Sequence, residues 1–174
     1  MHQTLIITLL GSDRPGLVEA VSNAINGTGG NWESSRLARL GGQFAGMVQL
    51  TIAKDKIEQL DKALNELEKD GLKVSVIHSD GHVSESPAVE SERALLSVVG
   101  LDRKGIVSAI SSALAREGAN VDELATECRE APWTGEQHFQ ADFTLSLPDS
   151  LDRESITEAI EAFGDDLMIE WTEV

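Results

Sequence analysis

The chain has 174 residues, 41% of them hydrophobic and 25% charged, proportions of a globular protein with one large domain or two small ones. Its formal charge of −16, from 14 basic against 30 acidic residues, argues against a nucleic-acid surface, which needs Lys and Arg on the phosphates. No apolar run approaches the ~18–20 residues of a membrane span. The start of the chain lacks the basic region of a signal peptide, and its one cysteine, Cys128, fits a reducing cytoplasm.

In chain order, the first predicted element is a strand, Leu5-Ile6-Ile7-Thr8-Leu9-Leu10, apolar enough to be buried on both faces. A turn follows, then a helix whose stripe is Leu17, Val18, Val21, Ala24 and Ile25. Glycines from Gly27 to Gly30 end it by supplying left-handed conformations. Trp32 to Leu40 then turns at Gly41-Gly42 into Phe44, Gly46, Val48, Leu50 and Ile52, which alternate with their neighbours as a hairpin strand does. A second amphipathic helix carries Ile57, Leu60, Leu64 and Leu67, and Leu72, Val74 and Val76 close the unit. Residues 80–92 are polar, acidic and contain Pro87, so they read as a linker between domains at 1–79 and 93–174.

The second half repeats the first. At an offset of 89, residues Gly11 to Asn31 match Gly100 to Asn120 with ten identities in 21 positions. Its strand is Ala94 to Val99, and its first helix carries Ile106, Val107, Ile110, Ala113 and Leu114. Its alternating strand is Phe139, Ala141, Phe143, Leu145 and Leu147. Ile156, Ala159, Ile160 and Phe163 mark the last helix, and Leu167, Ile169 and Trp171 the last strand. The order βαββαβ, twice, predicts an α+β protein of two ferredoxin-like units. Each is a four-stranded antiparallel sheet with two helices on one face. The other face then needs cover from the second half or a second chain. With only about 80 residues per unit, burial within one unit is marginal, and a homodimer is a further expectation.

The chemistry concentrates in the two strand-to-helix turns, Gly11-Ser12-Asp13-Arg14-Pro15-Gly16 and Gly100-Leu101-Asp102-Arg103-Lys104-Gly105. A helix start offers free N–H groups and a positive dipole end, a seat for a carboxylate. Asp13 or Asp102 adds an acceptor for an ammonium group, and together these poles suit an α-amino acid. A structural reading stands beside this one: Asp is a preferred N-cap, Pro15 suits a first helical turn, and glycine bends the chain. Arg14 and Arg103 are equally readable as solvated ion-pair partners. Asn31 and Asn120, at matched positions, either bond the turn or start the next strand.

G-S-D-R-P-G-L, followed by G-G-N-W-E-S-S-R-L-A-R-L-G-G-Q-F-A-G, resembles the first of two ACT domains. G-L-D-R-K-G-I, G-A-N-V-D-E-L-A-T-E-C and A-P-W-T-G-E-Q-H-F resemble the second. The pair resembles the glycine cleavage system transcriptional repressor family over nearly the whole chain. The D-R-x-G turn marks ACT domains in general, and the A-P-x-T-G hairpin points to this family. The resemblance implies a small amino-acid ligand, glycine foremost, at the turn and often at an interface between two domains. It also implies transcriptional control through a DNA-binding partner protein, with no cofactor and no catalysis. The ligand positions it implies are Ser12, Asp13, Arg14, Pro15, Gly16, Leu17 and Asn31, and Leu101, Asp102, Arg103, Lys104, Gly105, Ile106 and Asn120. The copies differ at Pro15/Lys104 and in hairpin length, so two equivalent sites are not expected. A regulatory subunit of an amino-acid enzyme and an interaction module without a ligand remain the rival classes.

Other signals are weaker. His78 and His82 flank Asp80 but have no third metal ligand near in sequence. His138 is expected to face solvent or the hairpin. Cys128 has no base beside it and reads as a small, half-buried strand residue. No phosphate-loop, dinucleotide or nucleophile-elbow motif is present.

Overall fold

The computed structural model describes residues 1–78, 92–130, 135–148 and 151–173. The chain divides into two compact units. The first contains β1 (His2–Ser12), α1 (Leu17–Gly27), β2 (Asn31–Leu40), β3 (Gln43–Ala53), α2 (Ile57–Glu68) and β4 (Leu72–His78). The second contains β5 (Glu92–Leu101), α3 (Ile106–Arg116), β6 (Asn120–Glu130), β7 (Gln137–Leu147), α4 (Arg153–Glu161) and β8 (Met168–Glu173). The predicted βαββαβ order is therefore found twice. The region read as a linker lies outside the described residues except for Glu92, which opens β5. The Pro132-Trp133-Thr134 part of the second hairpin and the run from Ser79 to His82 lie outside them too.

Each unit is one antiparallel sheet, ordered β2-β3-β1-β4 in the first and β6-β7-β5-β8 in the second. Period-two burial decides which face meets the helices. In β1, Leu5, Ile7 and Leu9 are buried, and the register sets Leu5 opposite Leu50 and Ile7 opposite Val48. These side chains form one core with Leu17, Val21 and Ile25 of α1 and Leu60 and Leu64 of α2. Both helices consequently cover the same face. The second unit repeats the arrangement with Leu96, Val98, Phe143 and Leu145 beneath Ile106, Ile110, Leu114, Ile156 and Ile160. Burying each such side chain contributes roughly 1.5–3 kcal/mol. On the opposite face of the first sheet, Met47 and Ile77 stay about half exposed.

Glycine is required at one point inside a strand. Gly46 of β3 sits opposite Leu37 at φ 155, and a Cβ there would collide with the Arg36 carbonyl of β2. At the helix ends, Thr28 is buried yet satisfied, its hydroxyl donating to Ala24 O at 3.0 Å and Ile25 O at 2.9 Å. The last helix is capped by Asp152, whose carboxylate accepts from Glu154 N at 3.0 Å and Ser155 N at 3.3 Å. Strand β6 departs from expectation. It is a sheet edge exposed along its whole length, so Cys128 is a free, exposed thiol rather than a half-buried one. Among the described residues no helix is long and apolar enough to cross a membrane.

Candidate ligand-binding turns

The two turns have the same backbone. Asp13 N donates to Gly42 O at 2.9 Å, and Asp102 N donates to Gln137 O at 2.8 Å, so each turn is tied to the hairpin beside it. The helix starts four residues later than the Asp. The N-caps are Gly16 and Gly105, both left-handed at φ 88, and neither Asp caps its helix. Pro15 precedes the cap and lies outside the helix. The capping account of Asp13 and Asp102 is therefore set aside, because the tether to the hairpin keeps each Asp in the turn. Gly11 and Gly100 serve a close backbone approach: a Cβ on Gly11 would lie 2.8 Å from Gly71 O.

The first hydrogen bond of α1 runs from Ala20 N to Gly16 O, leaving the amides of Leu17, Val18 and Glu19 without an acceptor inside the helix. Beside them is an open hollow of about 340 Å³ lined by Asp13, Arg14, Gly16, Leu17, Val18, Glu19 and Phe44. Of the residues singled out from the sequence, this hollow gathers Asp13, Arg14, Gly16 and Leu17. Ser12 and Pro15 are exposed in the same turn. Glu19 and Phe44 were missed by the sequence reading. Position 19 is Ser108 in the second copy, so a search for shared residues passes over it, although an acid in the first helical turn is itself a recognisable feature.

The polar groups of the two turns are engaged differently. Asp13 pairs with Arg39 at the end of β2, Oδ2 to Nε 3.4 Å. Arg14 is exposed and, among the described residues, reaches one oxygen, the Asp70 carbonyl, at 3.5 Å. In the second turn Asp102 is exposed, whereas Arg103 is half-buried. The Arg103 guanidinium donates to the Asp166 carboxylate and, at 3.4 Å, to Phe163 O. Asp166 also accepts from Leu101 N at 2.7 Å. The Arg103 hydrogen bond, followed by that from Leu101, holds the Asp166 carboxyl below its ordinary pKa. Lys104 and Gly105 are exposed, and Ile106 is core.

Asn31 and Asn120 are not brought to the turns of their own units. The register sets Asn31 beside Thr51, and Thr51 beside Thr4. Ser12 is eight residues further along β1, roughly 26 Å away at the rise of a strand. Asn120 lies likewise beside Ser146 and Arg93, at the far end of β5 from Leu101, and its amide donates to Asp122 Oδ1 at 2.6 Å. No group of three or more His, Cys, Asp or Glu that could hold a metal is found among the described residues.

Comparison with known proteins agrees with this architecture. Two ACT-domain family models match, one over residues 3–76 and one over 94–165. The glycine cleavage system transcriptional repressor of Escherichia coli is 24% identical over 163 residues, covering 94% of this chain and 85% of that protein. A crystal structure of an unknown protein from Galdieria sulphuraria superposes with a TM-score of 0.82 at 34% identity, covering 100% of this chain and 99% of that one. A second, of a putative glycine cleavage system transcriptional repressor, gives 0.71 at 17% identity with the same coverage and shares the fold. With the duplicated βαββαβ units and their matched turns, these findings establish that the chain belongs to the ACT domain family, as a tandem of two such domains.

Proposed function

We propose that this is a non-enzymatic regulatory protein that binds a small amino acid, glycine foremost, at the turn between β1 and α1. The observation that carries this reading is the hollow beside that turn, where groups of both signs converge. The Arg14 guanidinium suits the carboxylate of an amino acid, with the leading amides of α1 adding the positive end of the helix to its surroundings. Glu19 and the outer lone pairs of Asp13 suit its ammonium group. A ligand seated there is out of reach of Asn31 in the same unit, so the site proper is Ser12 to Leu17 with Glu19 and Phe44.

The proposed consequence is control of transcription of amino-acid metabolism genes through a DNA-binding partner protein. Similarity to the Escherichia coli repressor supports this, and the charge of −16 disfavours direct contact with DNA. Such a switch needs a ligand that binds one state of the protein more tightly than another. The protein is expected to act in the cytoplasm, and as a homodimer.

A thermal-shift screen across the twenty amino acids tests the ligand, and no stabilisation by any of them defeats the reading. Capture of partners from native cytosol with and without glycine tests the rest. A glycine-dependent transcription factor supports it, whereas an amino-acid enzyme in its place makes the chain that enzyme's regulatory subunit.

A further inference from the structure

We infer that in the second ACT domain the place of a ligand carboxylate is taken by the chain's own Asp166, leaving the first domain as the copy that binds an external carboxylate. This rests on the amino-acid reading above, and it says which of the duplicated turns performs it.

The second turn displays a carboxylate already in place. Both oxygens of Asp166 are used: Oδ2 accepts from Leu101 N at 2.7 Å, and Oδ1 accepts from the Arg103 guanidinium. The guanidinium is fixed for this task, because Arg103 also donates to Phe163 O and Leu101 O, each at 3.4 Å. It lies against Gly164, where any Cβ would collide with it. A strand-end amide and an oriented guanidinium together form a charge-assisted cradle for one carboxylate.

The first turn has the matching cradle residues, Ser12 and Arg14, but no such occupant among the described residues. In each unit the chain after the second helix sets a leucine against the glycine one residue before the end of the first strand, Leu72 against Gly11 and Leu167 against Gly100. The residue just before that leucine is Asp166 in the second copy and Gly71 in the first. Gly71 has no side chain, and the position its Cβ would take has nothing within 4 Å. The exposed Arg14 reaches a single carbonyl, that of the preceding residue Asp70, at 3.5 Å, among the described residues. A small carboxylate entering there would meet a guanidinium that the second copy has already committed to Asp166.

The test removes the internal carboxylate and supplies an external one. D166A, with D166G as a second variant, is heated in rising acetate against sodium chloride at equal ionic strength. The variants are expected to gain more Tm from acetate than the parent protein does, and D166A/R103Q is expected to lose that extra gain. Equal acetate responses in parent and variants, or a gain that survives R103Q, overturn the inference. Calorimetry with glycine gives the second arm. One glycine per parent chain and two per D166A chain are expected, while two in the parent or one in both overturn it. Should neither protein bind glycine while acetate still rescues D166A, Asp166 keeps its role and the amino-acid reading falls.

Discussion

Arg39 at the end of β2 reaches across the hairpin to Asp13, 3.4 Å from Nε to Oδ2, with the arginine mostly exposed and the aspartate about one-third so. That contact joins the hollow proposed as the ligand seat to the sheet edge and occupies the carboxylate proposed to receive an ammonium group. An exposed pair of this kind stabilises the fold by less than about 1 kcal/mol. R39Q should therefore leave chemical denaturation nearly unchanged while tightening glycine binding, since Asp13 no longer divides its charge. D13N should weaken binding without unfolding the protein. Unfolding of D13N would return Asp13 to a structural role.

The Asp166 carboxylate should make the second domain acid-sensitive. Its pKa is depressed in the fold, chiefly by Arg103 and then by the Leu101 amide. A carboxylate depressed in this way stabilises fully above its unfolded pKa of about 3.9, and the contribution disappears as pH falls through the lower folded value. The Tm difference between the parent and D166N should be constant from neutrality to about pH 5 and shrink below about pH 4. Glu127 is lowered similarly by Arg129, and comparison with D166N cancels that effect. A difference that grows on acidification would contradict the assignment.

Two kinds of glycine should respond differently to alanine. Gly16 is left-handed at φ 88 with open space around it, so G16A pays only the backbone penalty, about 1–2 kcal/mol. Gly46 faces the Arg36 carbonyl directly, so G46A must displace a neighbouring strand. Denaturant titration should find G46A much the more damaging. Equal costs would mean that β2 moves aside freely.

In the second domain, Phe143 is fully buried in the core and Asp152 caps α4 with two hydrogen bonds. F143A should cost about 3–5 kcal/mol and D152A about 1 kcal/mol in equilibrium unfolding. The ranking follows from cavity formation against the loss of one exposed cap. Reversal of the two would place the stability of this domain outside its sheet–helix core.

The elements were legible because their burial is periodic: Leu5, Ile7 and Leu9 on β1 and Leu17, Val21 and Ile25 on α1 show the periods that their sequences carry. The start of α1 was not legible. Local capping preference favours Asp13, but the amide of Asp13 is tied to Gly42, and the chain turns into the helix only at left-handed Gly16. Exposure of Cys128 was missed for a similar reason, since edge position depends on sheet order rather than on the strand itself. The turns were visible through their repetition, and their inequality through Pro15/Lys104 and hairpin length, but the cause of that inequality was not. It depends on Asp166, 63 residues from Arg103 in a loop where the first copy has Gly71. Asn31 matched Asn120 for the sake of β2 and β6, which both residues begin, at the end of each sheet remote from its turn.

The most direct test of the central claim is calorimetric titration of glycine into the parent protein, R14Q and R103Q. The account predicts one site in the parent, at least about tenfold weaker binding in R14Q, equivalent to about 1.4 kcal/mol, and little change in R103Q. Undiminished binding in R14Q, or a loss that follows R103Q instead, would contradict it.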